Sequence, residues 1–141
     1  MTLRPAVIAD SQAVAALMTQ LGYPAAPIEI ERRLARLLAH PDYAAVVAET
    51  GGELAGLILL HLEQGLEYDS AYCRVMGLVI DERWRGRGLG RRLMNHAEQW
   101  CTDRGGDRVL LTSASRRDEA HRFYDAIGYE RTGVRFAKWL R

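Results

Sequence analysis

The sequence predicts an α/β domain built on a mixed sheet. Three observations lead there. Helical apolar spacing runs through residues 10–39, and β-rich apolar stretches separated by turn signals follow over 43–80. Residues 72–112 then read as strand, glycine-rich turn, helix and strand, which implies parallel sheet neighbours joined by a right-handed crossover.

Each element has a local reason. Thr2 to Val7 reads as a first strand. Asp10 is expected to cap the next helix, its carboxylate accepting first-turn amides. Val14, Leu17, Met18 and Leu21 share one face of that helix, and Gly22-Tyr23-Pro24 stops it. A second helix runs from Pro27 to Ala39 with Ile30, Leu34, Leu37 and Leu38 inward, and Pro41 lies beyond its end. Tyr43 to Glu49 and Leu54 to Leu62 flank a Gly51-Gly52 hairpin signal, and Tyr72 to Ile80 makes a further long strand. Gly88 to Arg104 is the strongest helix, with Leu89, Leu93, Ala97, Trp100 and Cys101 on one face; Gly105 and Gly106 end it. Arg108 to Thr112 reads as a short buried strand. Glu119 to Ile127 reads as a helix with Ala120, Phe123 and Ile127 inward, stopped by Gly128. Tyr129 to Thr132 and Val134 to Trp139 are expected to form a closing pair of strands around Gly133.

At 141 residues the chain is the length of one domain, and residues 1–141 are read as a single one. Hydrophobic residues at 48% and charged residues at 26% exclude disorder. The longest apolar stretch, Leu54 to Leu62, is too short to cross a membrane, and no basic-then-apolar leader follows Met1, so a cytoplasmic location is expected. Cys73 and Cys101 fit no metal spacing and are expected to be free, buried thiols with no metal bound.

A net charge of +1 argues against nucleic acid as a partner, but it conceals a split. Residues 1–82 carry 11 acidic and 5 basic side chains, whereas residues 83–141 carry 7 acidic and 14 basic. Such asymmetry points to a charged ligand. The most informative segment lies where the sign changes: an apolar strand, Leu78 to Ile80, enters a turn with Gly86, Gly88 and Gly90 that opens the strong helix. Unpaired amides at a helix start favour phosphate, and Arg83, Arg85, Arg87, Arg91 and Arg92 surround the turn. The Walker pattern is excluded because Gly90 is followed by Arg91 and Arg92, and the dinucleotide fingerprint because its third glycine position is Arg91.

Arg85-Gly86-Arg87-Gly88-Leu89-Gly90 resembles the Arg/Gln-x-x-Gly-x-Gly/Ala loop of the GNAT N-acetyltransferase superfamily. Leu78-Val79-Ile80-Asp81 resembles that family's fourth strand. Ala120-His121-Arg122-Phe123-Tyr124 with Gly128-Tyr129 resembles its last helix and following strand, and Leu3-Arg4-Pro5-Ala6 with Asp10 its opening. The resemblance covers nearly the whole chain and implies a mixed, mostly antiparallel sheet with flanking helices, the GNAT-like acyl-CoA N-acyltransferase fold.

It also implies roles. The amides of Arg85, Gly86, Arg87, Gly88, Leu89, Gly90 and Arg91 would hold the pyrophosphate of acetyl-CoA, and the backbone of Leu78, Val79 and Ile80 its pantetheine arm. An amide near Val79 would polarise the thioester carbonyl. Tyr124 would protonate the departing thiolate; by its spacing alone it is equally a packing residue beside Phe123. Arg117 stands where the family often has an asparagine, and it becomes a candidate phosphate contact beside Ser113 and Ser115. The strand positions that often carry a glutamate base hold Arg74 and Met76, so Glu63, Glu67 and Asp69 are the candidate bases, with a solvated turn as their plain reading. His121 is a lesser candidate for the chemistry.

The resemblance thus implies transfer of an acetyl group from acetyl-CoA to a primary amine in a ternary complex, on a small-molecule or protein acceptor, by a protein that forms homodimers. The acceptor would be gripped by Gly22, Tyr23, Pro24, the second helix and residues 131–136, with Tyr23 and Trp139 as wall candidates. The acidic half would then attract a cationic amine. The alternatives are a covalent route through Cys73 or Cys101 and an acyl-CoA-binding module or sensor without turnover.

Overall fold

The computed structural model describes residues 1–113 and 118–141. They fall into two compact units, Met1–Leu110 and Leu111–Arg141. The first holds β1 (Thr2–Pro5), α1 (Ser11–Leu21), α2 (Pro27–Leu38), β2 (Tyr43–Thr50), β3 (Glu53–Glu63), β4 (Ala71–Ile80), α3 (Leu89–Asp103) and all but the last residue of β5 (Gly106–Leu111). The strands form one sheet in the order β1-β2-β3-β4-β5. The β1/β2, β2/β3 and β3/β4 pairs are antiparallel, and α3 crosses over between the neighbours β4 and β5. The sheet is mixed and mostly antiparallel, as expected.

Alternation along β3 explains why both faces are covered. Leu57 joins Val14, Leu17, Ile30, Leu34 and Val47 in one core cluster beneath α1 and α2. The neighbouring Gly56 points the other way, where Leu93 of α3 comes within 3.2 Å of the place its Cβ would occupy. Leu93, Met94 and Ala97 are fully buried there. The Gly51-Gly52 turn carries φ of 55° and 81°, the left-handed pair that a tight hairpin between twisted strands requires.

Three expectations change. The Asp10 carboxylate makes no cap to α1. It accepts instead from the Arg4 guanidinium at 2.8 Å and from the Val7 amide at 2.8 Å, because a cation on β1 competes better for it than a helix amide. The strand β5 is half-buried rather than buried. Residues 129–141 form no strand among the described residues, and Phe136 and Trp139 are each 91% exposed. The two wall candidates, Tyr23 and Trp139, are both exposed.

In the second unit, α4 (Asp118–Ala126) begins with Asp118 and Glu119, acids that suit the positive end of a helix. Gly128, at φ 93°, turns the chain after it.

Candidate active site

The turn between β4 and α3 is assembled by local polar bonds. Asp81 Oδ1 accepts from the Arg83 amide at 2.9 Å, closing a short 3-10 turn over Glu82–Trp84. Gln20 of α1 accepts the Glu82 amide at 3.0 Å. The Arg83 side chain pairs with Asp81 and Glu53, which neutralises its charge. Arg85 donates to the Ile80 carbonyl at 3.1 Å, and the Arg87 guanidinium lies 4.7 Å from the Trp84 ring centroid. Of the five arginines near the turn, Arg91 and Arg92 are exposed and, among the described residues, form no ion pair.

The chain then enters α3 through Gly86 at φ 76° and Gly88 at φ 79°. A Cβ at either would meet nothing within 4 Å, so backbone conformation and not crowding calls for glycine. Gly88 is the cap residue, no side chain caps the helix, and its first turn holds no acid. The amides of Leu89, Gly90 and Arg91 therefore have no intrahelical acceptor. Leu89 anchors this turn, its side chain buried in the core. A diphosphate fits such a cradle: oriented donors, the positive helix end, and two free cations beside it.

The β4 backbone beside the turn has a definite handedness of donors. Asp81 donates to the Ala55 carbonyl of β3 at 2.9 Å. Ladder partners alternate along an antiparallel pair, so Val79, two residues earlier and opposite Leu57, also faces β3. The groups of Leu78 and Ile80 face away from β3. The Val79 amide, expected to polarise a carbonyl, thus lies toward β3, and the groups left outward are those of Leu78 and Ile80.

Further along β3 and β4 is a row of polar groups on the α1/α2 face. His61 opposes Arg74, and Glu63 opposes Tyr72. Arg74 Nε donates to Glu63 Oε1 at 2.9 Å. The Arg74 guanidinium, chiefly, holds the Glu63 carboxyl below its usual range, with Tyr72 and His61 adding hydrogen bonds against the cost of burial. The Glu63 carboxylate is thus held ionised beside Arg74, while Glu67 and Asp69 stand exposed in the turn. His61 was absent from the sequence-based candidates. Its signal was there: the alternation His61-Leu62-Glu63 places the imidazole and the carboxylate on one face. Met76 is the extra residue of a bulge, since Leu59 opposes Gly77 while Leu60 opposes Val75.

In the second unit, His121 and Tyr124 lie three residues apart on α4, both half-buried. The Tyr124 ring contacts Phe123 edge-on, centroids 5.2 Å apart, and lies 6.1 Å from Tyr129. The Tyr129 amide donates to the Tyr124 carbonyl at 3.0 Å. Arg117 and Ser115 lie outside the described residues, and Ser113 is half-buried.

Cys73 and Cys101 are buried and free. Burial, then a hydrogen bond with Cys101, pushes the Cys73 thiol up to about 12, which removes it as a nucleophile at neutral pH. Among the described residues no cluster of His, Cys, Asp and Glu is placed to hold a metal, and no helix is long and apolar enough to cross a membrane.

Comparison with known proteins gives a consistent answer. The model of the Acetyltransferase (GNAT) family matches residues 12–129. An aminoalkylphosphonate N-acetyltransferase from Salmonella typhimurium is 30% identical over 98% of this chain and 90% of its own length. The N-alpha-acetyltransferase RimI of Mycobacterium tuberculosis is 33% identical over 90% of this chain and 77% of its own. The solved structure of a GNAT family acetyltransferase from Staphylococcus aureus superposes with a TM-score of 0.85 at 23% identity, covering 99% of this chain and 98% of that one.

Proposed function

The chain belongs to the acetyltransferase (GNAT) family, and from that premise we propose that it transfers an acetyl group from acetyl-CoA to a primary amine by direct attack in a ternary complex. The observation that carries the donor half is the α3 start: left-handed Gly88, no acid in the first turn, and Arg91 and Arg92 unpaired beside it. The amides from Arg85 to Arg91 bind the pyrophosphate, and the outward groups of Leu78 and Ile80 bind the pantetheine and polarise the carbonyl. Acetyl-CoA supplies the activated thioester. Tyr124 gives its phenolic proton to the departing thiolate; thiols titrate near ~8.5 and phenols near ~10, so that transfer is nearly balanced.

The raised Cys73 thiol disfavours a covalent acetyl-enzyme. The acceptor is an amine, and the acidic composition of residues 1–82 suits a cationic one. The relatives' acceptors, an aminoalkylphosphonate and protein α-amino groups, set the range to be tried. The test is release of CoA thiol from acetyl-CoA across a panel: 1-aminoethylphosphonate, a peptide with a free N-terminus, an aminoglycoside, ethanolamine and 2-phenylethylamine. Release with at least one amine, and intersecting lines when both substrates are varied, is expected. Parallel lines, or no release with any amine, would overturn the reading.

A further inference from the structure

Under α2, against the β2–β4 surface, lies a cavity of about 250 Å³. Leu37 and Leu38 of α2, Leu59 of β3 and the bulged Met76 of β4 wall it, and Tyr43 supplies the one side-chain hydroxyl. No charged side chain lines it. Leu38 and Met76 stand 39% and 53% exposed at its lip, an opening that leaves apolar surface in water. Such a pocket suits a phenyl or branched aliphatic group and disfavours an ionic one.

The cavity has a polar neighbour. His61 stacks on the Tyr43 ring with centroids 4.2 Å apart and planes 24° apart. Leu59 and His61 alternate onto the same face of β3, so the imidazole follows the cavity wall directly. His61 Nδ1 lies 3.4 Å from Glu63 Oε1. An ionised carboxylate only accepts, so Nδ1 carries the hydrogen and the lone pair is left on Nε2. Arg74 in turn fixes Glu63, bonding it through both Nε and Nη2. The chain from Arg74 through Glu63 to His61 is therefore set to one tautomer.

Resting on the acetyl-transfer reading above, we propose that this cavity takes the apolar group of a hydrophobic primary amine and that His61 accepts the proton of its ammonium through water, since strand register sets the imidazole opposite Arg74 and away from Leu78. The N–H bond of the ammonium breaks as its proton passes to water, and water in turn delivers a proton to form the Nε2–H bond, giving a neutral amine and an imidazolium. The amine lone pair then attacks the thioester carbon, the adduct nitrogen loses its second proton to solvent, and the C–S bond breaks with the electron pair leaving on sulfur, which takes the Tyr124 phenolic proton; the imidazolium then gives its proton to solvent and the tyrosinate regains one from solvent. The titratable and charged groups around His61 are Glu63 on its own strand, Arg74 and Tyr72 on β4, Tyr43 and Asp42 at the start of β2, His40 after α2, and Glu67 in the turn. From α2 the cavity receives Leu37 and Leu38.

The experiment measures kcat/KM for 2-phenylethylamine and ethanolamine against pH, in the wild type and in His61→Gln and Met76→Gln. The wild type is expected to favour 2-phenylethylamine at least tenfold and to show an acid limb with the slope of one proton. His61→Gln should lose that limb and at least tenfold in kcat/KM at neutral pH, with KM for acetyl-CoA within twofold. Met76→Gln, at an exposed position, should narrow the preference between the amines and leave the limb in place. Turnover of other amines with no preference for 2-phenylethylamine overturns the proposal and leaves the acetyl-transfer reading standing. So does an unchanged limb in His61→Gln. No CoA release with any amine overturns the acetyl-transfer reading itself.

Discussion

Arg74 and Glu63 meet across the β3–β4 ladder, guanidinium Nε to carboxylate Oε1 at 2.9 Å. The cation ties down a carboxylate that the sequence offered as a candidate base. Because the folded-state titration of Glu63 is depressed, the pair's stabilisation is present above the ordinary carboxylate range. It is lost as the pH falls through the depressed value. Arg74→Met should lower unfolding stability by about 1 kcal/mol at neutral pH, the upper end for a partly exposed pair. Urea unfolding at a series of pH values checks this. The difference from wild type should shrink in acid, and a constant difference would contradict the assignment.

Gly88→Ala tests the donor cradle. The new methyl group has open space, so the cost is that of a left-handed residue, roughly 1–2 kcal/mol. Relaxation of that strain displaces the amides of Leu89 and Gly90. KM for acetyl-CoA should rise several-fold while kcat changes little. An unaltered KM would detach the loop from donor binding.

Tyr124→Phe keeps the ring and its packing against Phe123 while deleting the phenolic proton. A drop of 10²-fold or more in kcat with acetyl-CoA KM nearly constant is the expected result, in line with the usual range for general acids. Steady-state kinetics at fixed amine concentration decides it, and unchanged turnover would remove the role.

Cys73 provides a chemical check on the direct route. Its thiol, buried and pushed up to about 12, should resist iodoacetamide at pH 8 in the folded protein and react on unfolding. Intact-mass measurement after exposure to acetyl-CoA alone should find no gain of about 42 Da, the net change when an acetyl group replaces a thiol hydrogen. Cys73→Ala should retain intersecting initial-rate lines. A stable adduct lost in that variant would restore the covalent route.

Gly106 sits where β5 passes beneath α3, and a Cβ there would run into Cys101 Sγ. Gly106→Ala should cost about 1–3 kcal/mol through overpacking, read as a lowered midpoint of thermal or urea unfolding. No loss would mean that the α3–β5 junction is looser than the close approach indicates.

Much of this protein was legible in the residues themselves. The helical spacing of Val14, Leu17 and Leu21, the Gly51-Gly52 hairpin and the run from Leu78 through Gly88 into α3 are local signals, set by side-chain period and by the few residues that accept positive φ. They placed four helices and five strands to within a few residues, and the glycine turn before α3. Residues 129–141 are not strands among the described residues, since β propensity acts only where a partner supplies the ladder.

What only the tertiary structure decided was which groups are already engaged. A sequence presents Asp10, Glu63, Arg83 and Val79 as available; packing assigns Asp10 to Arg4, Glu63 to Arg74, Arg83 to Asp81, and turns the Val79 amide toward β3. The converse holds for His61, which no motif marks and which strand register brings beside Glu63, Tyr43 and an apolar cavity. The charge split behaves in the same way. Its basic half is plain from counting, yet of the arginines near the loop Arg83 is neutralised by its neighbours while Arg91 and Arg92 stay unpaired among the described residues. Composition is a sum over side chains, whereas the field at a site depends on which charges lie within a few ångströms of each other.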